Sequence, residues 1–174
     1  LALASNGDVF AGLASFTPEV QPGIYRIPKA GGPATLFAKD EALPFPNALA
    51  FDGAGTLFAT DSGTGSVFRF DGSGHAQRWS THEALTGDKD GCHGAGPGFA
   101  IGANGLVVEK DNVFVVNMDK ATVVRIPRDA AGNAGAASVI AGPDCEALGG
   151  ADGRTAAPDG AFSSGGRSFA STSW

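Results

Sequence analysis

The chain has 174 residues, is 43% hydrophobic and 17% charged, holds 27 glycines and carries a formal net charge of −6. These proportions exclude a disordered chain. The absence of any Lys/Arg block excludes a nucleic-acid partner, because phosphate backbones demand clustered basic side chains. No apolar run reaches the length of a membrane-spanning helix, so no membrane partner is expected, and no signal-peptide pattern is visible.

Read in chain order, the predicted elements are short strands. Leu1–Ala4 and Val9–Ala11 flank the turn Ser5–Asp8, and Ile24–Ile27 and Ala34–Ala38 follow. The same series returns as Ala48–Phe51, Leu57–Thr60, Val67–Phe70 and Ala76–Trp79, with Asp52–Gly55 as its first turn. It returns again as Leu106–Val108, Val113–Val116, Val123–Ile126 and Ala137–Ile140, and a last part-copy carries Ser168–Ser171. Alternating apolar and polar residues mark half-buried strands, and the Gly/Asn-rich links between the first two strands of each series suit hairpins. The fourth strand of each series is polar and weak, as an outer edge strand is.

The copies share anchors. Phe10, Phe58, Phe114 and Phe169 recur at one place in the pattern, and Asn47, Asn104 and Asp159 at another. A period of roughly fifty residues with several short strands per copy signals a β-propeller. The chain is therefore expected to be all-β, a partial propeller of three to three and a half four-stranded blades. Their approximate bounds are 1–40, 46–81, 103–141 and a partial 158–174. It begins with Leu1 inside a strand and stops at Trp174 soon after another, which reads as a piece of a larger propeller. The repeated Phe residues are expected to fill the space between blades. Arg26, Arg69 and Arg125 are expected on exposed strand faces, covering apolar surface with their stems.

Equivalent positions of successive blades converge around one axis, so Asn47, Asn104 and Asp159 are expected to cluster. One carboxylate and two carboxamides make a hard oxygen environment suited to Ca²⁺, Mg²⁺ or Mn²⁺. A carboxylate beside such an ion can act as base toward water while the ion polarises a carbonyl. The competing explanation is that Asn and Asp before Gly are ordinary turn residues. Asp52, Asp61, Glu109 and Asp119 stand in or beside the repeated motif, which suggests an acidic gathering there.

Two long insertions, 81–101 and 142–157, are expected to run toward the end where Asn104 and Asp159 emerge, as specificity loops do. Cys92 and Cys145 lie at nearly matching places in them. The sequence leaves both a disulfide and two free thiols open. A disulfide would imply an oxidising compartment, extracellular or periplasmic. A Cys/His zinc site is disfavoured, since no CxxC is present and His93 stands alone beside Cys92. His75 and His82 read as loop surface.

The segments PNALAFDGAGTLFATDS, ANGLVVEKDNVFVVNMDKATVVRI and APDG, in that order, resemble the SMP-30/gluconolactonase-like family. The resemblance covers most of residues 1–172 and implies a six-bladed propeller, a divalent-metal-dependent hydrolase of lactones or esters. Calcium is the leading ion, with zinc, magnesium or manganese as alternatives. It implies that Asn104 holds the ion, that Asp159 holds it and serves as general base, and that Asn47 lies on the substrate side. Three departures weaken the match. Ala48 follows Asn47 where the family has Gly; the family's first-blade Glu has no counterpart; and Ser163 or Ser164 stands where it has an acidic residue. The chain alone is therefore expected to bind metal weakly and to catalyse nothing measurable. The reading from another class is a non-catalytic binding propeller of NHL type.

Overall fold

The computed structural model describes residues 1–15, 17–92, 98–149, 155–156, 162–164 and 167–169, the last three stretches as strands only. The first sheet joins β1 (Ala2–Leu3), β2 (Val9–Leu13), β3 (Gly23–Ile27) and β4 (Thr35–Ala38) in that order. The second joins β5 (Pro46–Phe51), β6 (Leu57–Asp61), β7 (Ser66–Phe70) and β8 (Ala76–Thr81). The third joins β9 (Ala103–Glu109), β10 (Asn112–Asn117), β11 (Thr122–Pro127) and β12 (Ser138–Ala141). A further sheet joins β13 (Thr155–Ala156), β14 (Phe162–Ser164) and β15 (Arg167–Phe169). A 3-10 turn at Glu83–Leu85 and the helix α1 (Cys145–Leu148) interrupt the connections between sheets. All pairings are antiparallel between chain neighbours, which is the blade of a β-propeller. Among the described residues no helix is long and apolar enough to cross a membrane.

The repeat anchors fall in one register. Phe10 pairs with Ala2 and Arg26, Phe58 with Ala50 and Arg69, and Phe114 with Val107 and Arg125. Phe169 pairs with Phe162. Because successive strand residues face opposite sides, this register sends Phe10, Phe58 and Phe114 to the same side of their sheets. The core then forms between sheets. Phe10, Ile24, Leu49, Leu57 and Phe68 share one cluster between the first and second blades. Phe58, Val67, Leu106, Val113 and Val115 share another between the second and third. Rings meet edge to face, Phe10 on Phe37 at 4.9 Å and on Phe51 at 5.3 Å.

Of the repeated arginines, Arg26 takes the exposed place expected of it, and Arg69 and Arg125 do not. Arg26 is exposed and pairs with Asp8 at 2.6 Å. Arg69 is half-buried and donates to the Gly132 carbonyl, 2.9 Å away in the third blade. Trp79 Nε1 donates to that same carbonyl at 2.8 Å. Arg125 is also half-buried, and its buried Nε has no partner among the described residues. A nearby arginine carries the second interblade tie: Arg128 bridges Asp52 and the Lys110 carbonyl while lying over the Phe58 ring at 5.6 Å.

These ties set an acid limit. The backbone N–H of Lys29, aided by Arg26 and Asn6, holds the Asp8 carboxyl below its ordinary value. Burial pushes Asp52 up, but the Thr56 and Ala54 N–H groups and Arg128 together bring it below that value. A carboxyl whose pKa is lowered by folding stabilises the fold above its unfolded pKa, near 3.8, and loses that contribution as pH falls through the folded pKa. The melting temperature is therefore expected to fall on acidification below that value, and less steeply in Asp52→Asn. A Tm-against-pH series of equal slope in both proteins would refute the assignment.

Candidate functional site

The inner strands lie side by side: β1 and β2 rest against β5, and β5 against β9. In β5, Pro46 pairs with Asp61 and Leu49 with Ala59, so β5 has one residue more than β6 over that stretch. In β9, Ala103 pairs with Asn117 and Leu106 with Val115, the same one-residue excess. Asn47 and Asn104 thus occupy matching β-bulges inside the strands, and not the turns ahead of them that the competing explanation required. A bulge re-aims the side chains it carries.

Hydroxyl groups of β6 and the residue after it lock the two bulges together. Asn47 Nδ2 donates to Ser62 Oγ at 3.0 Å, and Ser62 Oγ donates to the Ala103 carbonyl at 2.8 Å. Thr60 Oγ1 accepts from the Ala48 N–H at 3.0 Å and donates to the Asn104 carbonyl at 2.6 Å. The first blade meets β5 at the position equivalent to Thr60 with Gly12, where an added Cβ would come within 2.9 Å of Leu49 and 3.1 Å of the Pro46 carbonyl. A side chain there would have to displace Leu49 and press on the Pro46 carbonyl.

The two carboxamides differ in what is left over. Asn47 is half-buried, with Nδ2 committed to Ser62 and Oδ1 without a partner among the described residues. Asn104 is 2% exposed; among the described residues its Nδ2 meets only the Met118 thioether, at 3.1 Å, and its buried Oδ1 has no partner. An unsatisfied buried carbonyl oxygen costs free energy unless something bonds to it. It is a hard donor, so the residue at this position fits a hard divalent cation. Asp159, the third member of the expected cluster, lies outside the described residues, as does His93. Among the described residues no three His, Cys, Asp or Glu side chains gather as an ion site.

The expected acidic gathering is absent among the described residues. Asp52 and Glu109 sit at the opposite end of their strands, next to the first hairpin turns, and Asp52 is ion-paired with Arg128. Asp61 and Asp119 are buried and spent on backbone N–H groups. Asp61 accepts from Thr64 and Phe45, and Asp119 from Asp88 and Ile101. Asn117 holds the same connector through the Ala84 and Thr86 carbonyls at 2.9 and 2.8 Å. The connector is thus pinned at residues 84–88 and 101 to the corner between β10 and β11. Its Phe99 stacks edge to face on Phe45, two residues ahead of Asn47, with ring centroids 5.8 Å apart. His82 is spent on capping the 3-10 turn, accepting from Ala84 N. Cys92 and Cys145 form a disulfide with Cα atoms 5.1 Å apart, tying this connector to α1. Leu148 of α1 is buried against Ala121 and Val123.

Ser62→Ala is expected to cost about 1–3 kcal/mol, because it strips partners from both Asn47 Nδ2 and the buried Ala103 carbonyl. Ser62 is fully buried, so no water replaces the hydroxyl from outside. Equilibrium denaturation measures the loss; a change within a few tenths of a kcal/mol would show that the relay holds nothing.

No protein-family model and no curated protein matches the chain. Solved structures do. It is similar to virginiamycin B lyase from Staphylococcus aureus, with 16% identity over 92% of this chain and 45% of that one, at a TM-score of 0.60. It is similar to regucalcin, a calcium-binding protein from Agrobacterium tumefaciens, with 18% identity over 92% and 49% of the two chains, at 0.59. It is also similar to a gluconolactonase from Xanthomonas campestris, with 19% identity over 82% and 48%, at 0.57. The chain spans about half the length of these solved propellers. The likeness establishes a partial β-propeller, and the family that the sequence motifs resemble is represented among the matches.

Proposed function

We propose that the chain supplies part of the site of a propeller that hydrolyses lactones or related esters with a divalent ion, calcium before zinc, magnesium or manganese. The observation that carries this reading is the matched pair of bulges, with Asn104 presenting a buried, unpartnered Oδ1 beside Asn47. The calcium-binding and gluconolactonase neighbours support it. Asn104 and Asp159 hold the ion. When bound, the ion supplies Lewis-acid polarisation of the ring carbonyl. Asp159 takes the proton from the attacking water. Asn47, its amide held by Ser62, lies on the substrate side and leaves Oδ1 to orient the substrate. The Cys92–Cys145 disulfide supports assignment to an oxidising compartment, extracellular or periplasmic.

The test is lactone hydrolysis by the longest polypeptide that carries this chain, with and without chelator. Chelation is expected to abolish turnover, and Asp159→Ala to lower kcat at least about a hundredfold, the usual worth of a general base. Turnover that survives chelator and is untouched by Asp159→Ala would overturn the mechanism. A polypeptide that binds small ligands but turns over none would favour the NHL-like reading.

A further inference from the structure

Met118 is the only methionine in the chain, half-buried at the corner between β10 and β11. Among the described residues its Sδ is the sole partner of Asn104 Nδ2, at 3.1 Å, while Asn104 Oδ1 has none. The equivalent place in the preceding blade is Ser62, whose hydroxyl oxygen accepts from the equivalent Asn47 and bonds onward to the Ala103 carbonyl. The third blade thus puts a soft, weak acceptor where the second has a hard, strong one. A thioether is also the one group here that mild oxidants convert reversibly into a hard oxygen acceptor.

We propose that Met118 is a site of oxidation by hydrogen peroxide or an alkyl peroxide, and that its sulfoxide acts as a switch on Asn104. A lone pair of Sδ attacks the distal peroxide oxygen; the S–O bond forms as the O–O bond breaks. The proximal oxygen departs with the bonding pair and takes up the proton, leaving as water or alcohol. Sulfur is oxidised by two electrons and the peroxide is reduced by two. The half-buried position gives peroxide access, and Met side chains have the torsional freedom to seat the new oxygen. That oxygen accepts from Asn104 Nδ2 as Ser62 does from Asn47, fixing the carboxamide plane and with it the direction of Oδ1. It also adds a hard donor beside Oδ1, where the thioether offers a divalent cation of the calcium class nothing. Oxidation therefore tightens the site for hard ions. This consequence, though not the Met118–Asn104 coupling itself, rests on Asn104 being an ion ligand.

The test uses the longest polypeptide that carries this chain, ¹⁵N-labelled, and its Met118→Leu variant, which keeps the volume and cannot be oxidised at this position. Dilute peroxide is expected to add one oxygen to the peptide containing Met118 and to shift the Asn104 side-chain amide resonances; methionine sulfoxide reductase is expected to restore both. The variant is expected to show neither change. Mn²⁺ is expected to broaden those resonances at about tenfold lower concentration after oxidation, within the range by which partners of metal ligands alter affinity. Oxidation of Met118 with the Asn104 resonances unmoved overturns the coupling, as does a thioether that reacts only once the chain unfolds. If the amide shifts and reverts yet Mn²⁺ broadens it in neither state, the coupling is upheld and the ion ligation proposed for Asn104 fails.

Discussion

Phe58→Ala is expected to lower the stability of the chain by about 4 kcal/mol, within the usual range for a fully buried aromatic. Phe58 is 0% exposed and lies where the second and third blades meet. Its ring contacts Trp79 edge to face at 5.2 Å and carries the Arg128 guanidinium on its face at 5.6 Å. Truncation leaves a cavity between two sheets that cannot collapse, because Trp79 is anchored at the Gly132 carbonyl and Arg128 at Asp52. Phe10 faces a looser neighbourhood, since Leu3 and Leu13 of its own sheet are exposed, and Phe10→Ala is expected to cost less. Urea unfolding of both variants measures the difference. A Phe58→Ala loss under about 1.5 kcal/mol would mean the interblade packing is soft enough to refill the hole, against the rigidity expected of close-packed interiors.

The blade pattern was legible because it is local. Phe58 and Arg69 lie on adjacent strands of one meander, so period-two alternation and a short turn are enough to pair them. The positions of Asn47 and Asn104 were legible as equivalents for the same reason, since each precedes its inner strand's apolar stretch by the same offset. That they sit in bulges was not legible, because a bulge is a mismatch between two strands and neither strand alone reveals it. The relay from Asn47 through Ser62 to Ala103, and from Ala48 through Thr60 to Asn104, joins residues of different blades. No local pattern distinguishes a serine that bridges blades from one that faces water. The buried carboxylates misled for a related reason. Asp61 and Asp119 look like ligands by composition, but backbone N–H groups claim them first: Thr64 in the corner after β6 and Phe45 ahead of β5 for Asp61, Asp88 and Ile101 of the connector ahead of β9 for Asp119. Spacing could likewise place Cys92 and Cys145 in corresponding loops but could not fix their separation, which depends on how each connector folds back.

Removing the disulfide, by Cys92→Ser with Cys145→Ser, is expected to cost about 4 kcal/mol if chain entropy dominates, given the 53-residue separation of the two cysteines. The argument concerns the unfolded chain: the link closes a loop that contains all of the third blade, so it restricts the denatured ensemble over β9 to β12 at once. The folded state needs the bond less. Cys92 N donates to the Asp119 carbonyl at 2.6 Å, Asp144 N to the Ala121 carbonyl at 3.1 Å, and Leu148 is buried, so both partners keep their seats without the sulfur bridge. The double variant is accordingly expected to retain native Asn104 amide resonances while unfolding at lower denaturant, chiefly through a more disordered unfolded state. A loss of several kcal/mol accompanied by shifted Asn104 resonances would instead place the bond among the supports of the site. A loss under about 1 kcal/mol would mean the reduced, unfolded chain already holds these two connectors near one another.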